Sequence, residues 1–174
     1  MKRLIVAVPL TLTAALLVVP AAHADDRRCS GTIRGAPIDG NVVVPSGRTC
    51  TLIGTRVDDN VLVEENATLV ARGVRVGGNI QAENHDRVVV RHRKVDGRVI
   101  RSRIGGSIQL KQGGGGRLLR NTVDGDIQLF SNAGRFEVRR NRVDGNLQCK
   151  SNTPRPVGGN NVVEGNKEDQ CRSL

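Results

Sequence analysis

Arginine is the residue through which this chain is best placed to do chemistry. Residues 87 to 142 hold 14 Lys and Arg against four acids, Asp96, Asp124, Asp126 and Glu137, an excess of ten. Arg56, Arg75, Lys94, Arg103 and Arg142 each stand one residue before an apolar lead. Arg72, Arg91, Arg93, Arg101, Arg120, Arg139 and Arg140 lie a few residues earlier in the same units. A guanidinium matches carboxylate or phosphate with two parallel N–H donors. If these side chains alternate outward on strands stacked about 4.8 Å apart, they form a basic stripe. Arg91, Arg93, Arg101, Arg103, Arg120, Arg139 and Arg142 are the residues expected to bind a polyanion. A solvated basic face explains the same residues about equally well.

Other residue types offer less. Asp39, Asp58, Asp96, Asp124, Asp144 and Glu164 recur at turns. Clustered carboxylates suit Ca²⁺ or paired-carboxylate hydrolysis. However, Gly77 and Gly105 interrupt the series, each Asp is a good turn residue by itself, and no copy stands out as an active site. Asn41, Asn60, Asn79, Asn146 and Asn166, with Ser107 and Asp126 in register, read as a hydrogen-bonded structural ladder. Cys29, Cys50, Cys149 and Cys171 lack the close pair of a zinc site, and His85 and His92 occupy unrelated positions. No Ser-His-Asp set is visible. With no Trp or Tyr, there is no aromatic platform for sugars or unpaired bases. Asn66-Ala67-Thr68 fits a glycosylation sequon, which matters only in a eukaryotic secretory path. No catalytic residue, metal site or cofactor is expected.

A repeat must position these residues. Val143-Asp144-Gly145-Asn146-Leu147-Gln148-Cys149 recurs with leads at Ile38, Val57, Val76, Ile104 and Val123, weakly at Val95 and in degenerate form at Val163. The steps are 19, 19, 19, 9, 19, 20 and 20 residues. A fixed period near 20 marks a stacked solenoid. Short β-branched runs separated by Gly and Asn, with no helical periodicity, predict strands and tight turns of positive φ at Asp-Gly and Gly-Gly. The fold class expected is all-β: a single-stranded parallel β-helix of about 19–20 residues per rung, its core a column of small aliphatics, in keeping with only two aromatics, Phe130 and Phe136. The 9-residue step predicts a bulge or a shortened turn. Gly113 to Gly116 predicts a mobile rung corner in place of the Ser131–Gly134 loop. After Lys150 the strands are expected to stop.

Residues 1–24 read as a secretory signal peptide: Lys2 and Arg3, an apolar stretch to Pro20, then Ala22-His23-Ala24. Residues 25–37 are expected to cap the stack, 38–150 to form the repeats, and 151–174 to form a C-terminal cap loop. Without Lys2 and Arg3 the chain keeps 25 basic residues against 17 acids, which favours polyanionic surroundings. Export and an even cysteine count predict two disulfides. Gaps of 21 and 22 residues, each about one repeat, favour Cys29–Cys50 and Cys149–Cys171, one staple at each end.

The chain resembles the right-handed parallel β-helix superfamily, the pectate-lyase-like group. Within it, the chain is similar to small secreted actinobacterial proteins of unknown function. They share Gly-Asn-Leu-Gln-Cys, here Gly145 to Cys149, then a Pro/Gly loop and Gly-Asn-Lys-Glu-x-Gln-Cys, here Gly165 to Cys171. The likeness covers about Ile38 to Cys171 and implies right-handed coiling. That superfamily includes polysaccharide lyases and hydrolases, but this chain is much shorter and no lyase motif maps onto its residues. A likeness to bacterial bactofilin scaffolds is weaker, and the signal peptide counts against it. The expected function is a secreted, non-enzymatic structural or binding module, extracellular or cell-wall associated. Its partner would be an anionic wall polymer or acidic polysaccharide, with nucleic acid less favoured. The alternative is a small lyase or hydrolase acting on acidic polysaccharide.

Overall fold

A computed structural model describes residues 26–174; the expected signal peptide lies outside the described residues. These residues coil into a parallel β-solenoid of about eight turns with no helix. Each complete rung contributes one strand to each of three faces. The first face stacks eight strands, from Arg27–Arg28 through Ile80–Glu83 to Lys167–Asp169. The second stacks seven, from Gly31–Arg34 through Arg87–Arg91 to Val157–Gly159. The third stacks seven two-residue strands, from Pro37–Ile38 to Val162–Val163. Arg27–Arg28, Gly31–Arg34 and Pro37–Ile38 thus form a first rung, where the sequence suggested a cap over 25–37 and repeats only from Ile38. Strands also continue past Lys150, at Val157–Gly159, Val162–Val163 and Lys167–Asp169.

The interior follows from strand alternation. Val42, Val61, Ile80, Ile108, Ile127 and Leu147 make one fully buried column on the first face. Val57, Val76, Ile104, Val123 and Val143 make another on the third. Aromatic volume enters the core once, at buried Phe136, whose register partner is Gly116. Phe130 is only half-buried and stands outside that core. A Cβ on Gly116 would stand 2.9 Å from the Phe136 ring. The four-glycine run is therefore not a loose corner. Its last two residues begin the strand Gly115–Leu119, and its first, Gly113, makes room for buried His85.

The 9-residue step is neither a bulge nor a shortened turn. It is an inserted antiparallel hairpin, Arg93–Val95 paired with Arg98–Ile100, leaving the fourth rung between its second and third faces. Val95 is therefore not a rung lead; Ile104 follows Val76 directly in the third-face stack. Val-Asp-Gly serves two different turns here. In the hairpin, Asp96 and Gly97 both take positive φ, 48° and 75°, as a two-residue hairpin requires. In the solenoid the Asp-Gly and Gly-Gly pairs that follow the rung leads do not have positive φ, contrary to expectation. Their second glycines serve close approach instead: a Cβ on Gly125, Gly145 or Gly165 would overlap the ladder oxygen of the preceding rung. Positive φ falls at the other two corners, at Asn66, Asn84, Gln112, Ser131 and Ser151, and at Gly54, Gly73, Arg120 and Arg140.

Polar ladders hold the corners. From Asn41 to Asn166 each side-chain oxygen accepts the backbone N–H of the next rung at 2.7–2.9 Å, through Asn60, Asn79, Ser107, Asp126 and Asn146. Two further ladders are buried. Asn121, Asn141 and Asn161 line the corner between the second and third faces, and Asn132 and Asn152 the corner between the first and second. Disulfides Cys29–Cys50 and Cys149–Cys171 join neighbouring rungs at the two ends, with Cα atoms 5.4 and 5.2 Å apart.

A candidate anion-binding edge

The predicted arginines do not form one stripe. They divide between two faces and the corner where those faces meet. Arg103 and Arg142 belong to an outward column on the third face that runs Arg56, Arg75, Arg103, Thr122, Arg142. Arg91 and Arg139 stand on the second face in a column that also holds Arg34 and Arg72. Arg120 sits at the intervening corner in a left-handed backbone conformation, φ 55°. Arg93 begins the hairpin and Arg101 follows its last residue. Arg93 lies across Gly54 and Gly73, where any Cβ would collide with its side chain. Arg101 turns back onto the stack, its Nη1 donating to the carbonyls of Asn121 and Arg140 at 3.3 and 3.0 Å. Arg101 thus has a positioning role within the fold that the sequence did not suggest.

Positive charge is concentrated along this edge. Burial first, and then the guanidiniums of Arg72 and Arg117, press the pKa of Arg91 below its ordinary value. His92 is likewise lowered, by burial and then by Arg120, Arg91 and Lys94, against an opposing backbone hydrogen bond at Leu119. Three open depressions lie on these surfaces, two of them at the edge itself. One of about 710 Å³ on the second face has a floor of Gly114, Gly115 and Gly116 and walls of Arg87, Arg117, Arg135 and Arg139. Glu137 lies between Arg117 and Arg139, 3.3 Å from each. A second, of about 550 Å³, gathers Arg101, Arg120, Arg140 and Arg142 at the corner. A third, of about 460 Å³, lies between the hairpin and the third face. Sequence reading missed Arg117 and Arg135, because the preceding glycines looked like a loop. Their neighbours in the stack show Arg117 to be an outward strand residue, in register with Val89 and Glu137.

The carboxylate series runs beside the third-face arginines. Asp58 pairs with Arg56 at 2.7 Å, and Arg142 with Glu164 at 2.7 Å and Asp144 at 3.7 Å. Asp96 leaves the series for the hairpin turn. Among the described residues no three His, Cys, Asp or Glu side chains gather as they would around a metal ion. The first face differs in character: Gln81, Gln109, Gln128 and Gln148 form its outward column, with amide contacts of 3.2 Å between Gln81 and Gln109 and 2.9 Å between Gln128 and Gln148.

Comparison with family models, curated proteins and solved structures returns no match. Architecture and site chemistry therefore define the class: a disulfide-stapled parallel β-solenoid with an arginine-rich edge.

Proposed function

We propose that this protein is a secreted, non-enzymatic binding module that holds an anionic polymer along the edge between its second and third faces. The observation that carries this reading is the stacking of arginines in register: Arg75 on Arg103 on one face, Arg72 on Arg91 on the other. Repeated cationic groups at the strand spacing suit a ligand that repeats its own charge, because many weak contacts add along the polymer. Two disulfides accord with an oxidising compartment, and no helix among the described residues is long and apolar enough to cross a membrane. Membership of the right-handed β-helix superfamily, a wall or extracellular location and the choice of wall polymer or acidic polysaccharide belong to the same reading. The test is titration of the protein with heparin and polygalacturonate at several salt concentrations, alongside release of unsaturated or reducing ends. Salt-sensitive binding without turnover is expected; turnover of the uronate polymer would overturn the non-enzymatic reading.

A further inference from the structure

The third-face arginines are not equivalent. Arg56 and Arg142 each have a carboxylate partner, supplied two residues later in the chain by Asp58 and Asp144 and, for Arg142, also by Glu164. In the two rungs that directly follow that of Arg56, glycine replaces that acid: Gly77 stands two residues after Arg75 and Gly105 two after Arg103. Arg75 and Arg103 are direct register partners and, among the described residues, neither makes an ion pair. Two arginines on strands about 4.8 Å apart thus stand side by side, neither with an ion-pair partner.

The hairpin adds an apolar wall to the same place. Val99 and Ile100 line the cleft of about 460 Å³ with Arg75 and Arg103, over a floor that includes Gly73. They are 39% and 40% exposed, so the insertion presents apolar side chains to solvent where an interior was available a few residues away. Glycine at Gly54 and Gly73 lets Arg93 lie flat and fixes the base of the hairpin against the stack.

We propose that this cleft binds a small amphiphilic oxyanion. A phosphate monoester or carboxylate head would be held between Arg75 and Arg103, with a short apolar tail against Val99 and Ile100. Two guanidiniums can chelate one oxyanion with up to four N–H donors, and the tail replaces water on the exposed wall. The cleft lies on the polymer edge and shares Arg75 and Arg103 with it, but the apolar wall of Val99 and Ile100 is not part of the polymer reading, so the two are tested separately.

The test is isothermal titration of the full protein with inorganic, ethyl, butyl and hexyl phosphate, with hexanoate and hexanol as the carboxylate and uncharged arms. Affinity should rise by up to about fourfold per added methylene, the limit for full burial of each group, until the tail exceeds the wall. Hexanoate should follow hexyl phosphate, and hexanol should not bind. Val99→Ser with Ile100→Ser should reduce hexyl phosphate to the affinity of inorganic phosphate. Arg75→Ser with Arg103→Ser should abolish binding of all the anions, and Arg75→Lys with Arg103→Lys should weaken it while keeping the charge. Circular dichroism confirms that each variant folds. Equal affinity for inorganic and hexyl phosphate, no binding of either, or undiminished binding in the Arg75/Arg103 serine variant would overturn the proposal. Heparin binding is read separately on the same proteins, so failure of the polymer reading is distinguishable from failure of this one.

Discussion

His85 occupies the space that a side chain at Gly113 would need. The imidazole is buried, 2% exposed, and lies edge-on to Phe136 with ring centroids 6.3 Å apart. A Cβ on Gly113 would overlap the ring, with no backbone atom among its nearest neighbours. Gly113→Ala is therefore expected to destabilise by about 1–3 kcal/mol, as overpacking does. In a His85→Ala background the same substitution should have little effect. Urea unfolding of the four proteins measures the coupling; additive losses would show that the glycine is needed for its backbone instead.

The same burial makes stability depend on pH. Neither ring nitrogen of His85 has a hydrogen-bond partner, and burial lowers its pKa to about 4 against a smaller opposing pull from Asp86. A depressed folded pKa means that the unfolded chain binds the proton more tightly. The stabilising contribution is therefore complete above about pH 6.5 and is lost as pH falls towards 4. The expected slope approaches 1.4 kcal/mol per pH unit within that window. His85→Asn should remove this component, and an unchanged pH profile in that variant would count against it.

Buried ladder residues should matter more than the outer ladder. Asn141 Oδ1 accepts from the backbone N–H and the amide of Asn121, both at 3.0 Å, and its own amide donates to the carbonyl of Leu118 at 2.8 Å. Asn141→Ala leaves several buried groups unpaired and should cost about 3 kcal/mol. Asn79→Ala, on the partly exposed ladder, should cost about 1 kcal/mol. Paired chemical denaturation curves decide; equal losses would mean that water reaches the inner corner.

Each disulfide closes a loop of about one rung, Cys29 to Cys50 and Cys149 to Cys171. Replacing either pair by Ala should lower stability by about 3 kcal/mol on a loop-entropy estimate. Thermal unfolding of the single and double replacements measures it, and a loss confined to one end would show that the other staple is dispensable.

Much of the architecture was legible because a solenoid repeats its side chains with its backbone. The 19–20-residue period, the outer Asn ladder and both cysteine pairings follow from spacing alone. The hairpin was hidden because Val95-Asp96-Gly97 spells the same turn as the rungs, and nothing local says that φ changes sign there. Gly113 to Gly116 misled for a related reason. Glycine signals freedom in sequence, whereas here it answers the close approach of neighbouring rungs: the His85 ring at Gly113, and backbone carbonyls of Asp86, Arg135 and Val88 at Gly114, Gly115 and Gly116. The inner ladder was legible in principle, since Asn121, Asn141 and Asn161 are 20 apart, as are Asn132 and Asn152. Spacing already sorted the arginines into those one residue before a lead and those a few residues earlier; that these sets stand on two different faces, and that Arg93 and Arg101 belong to the hairpin and its exit, was not legible.

Polyanion binding through the arginine edge is tested most directly by heparin affinity against salt for two matched variants. One carries Arg91→Ser, Arg103→Ser, Arg120→Ser and Arg142→Ser; the other carries Arg48→Ser, Lys150→Ser, Arg155→Ser and Arg172→Ser, outside the 87–142 segment and off the two arginine columns. Each removes four charges, so net charge is the same in both. The edge variant should bind weakly, with a log–log salt slope shallower by about three, as expected for four lost contacts, while the second variant stays close to wild type. Equal weakening in both, or no weakening in either, would contradict a binding site at the edge.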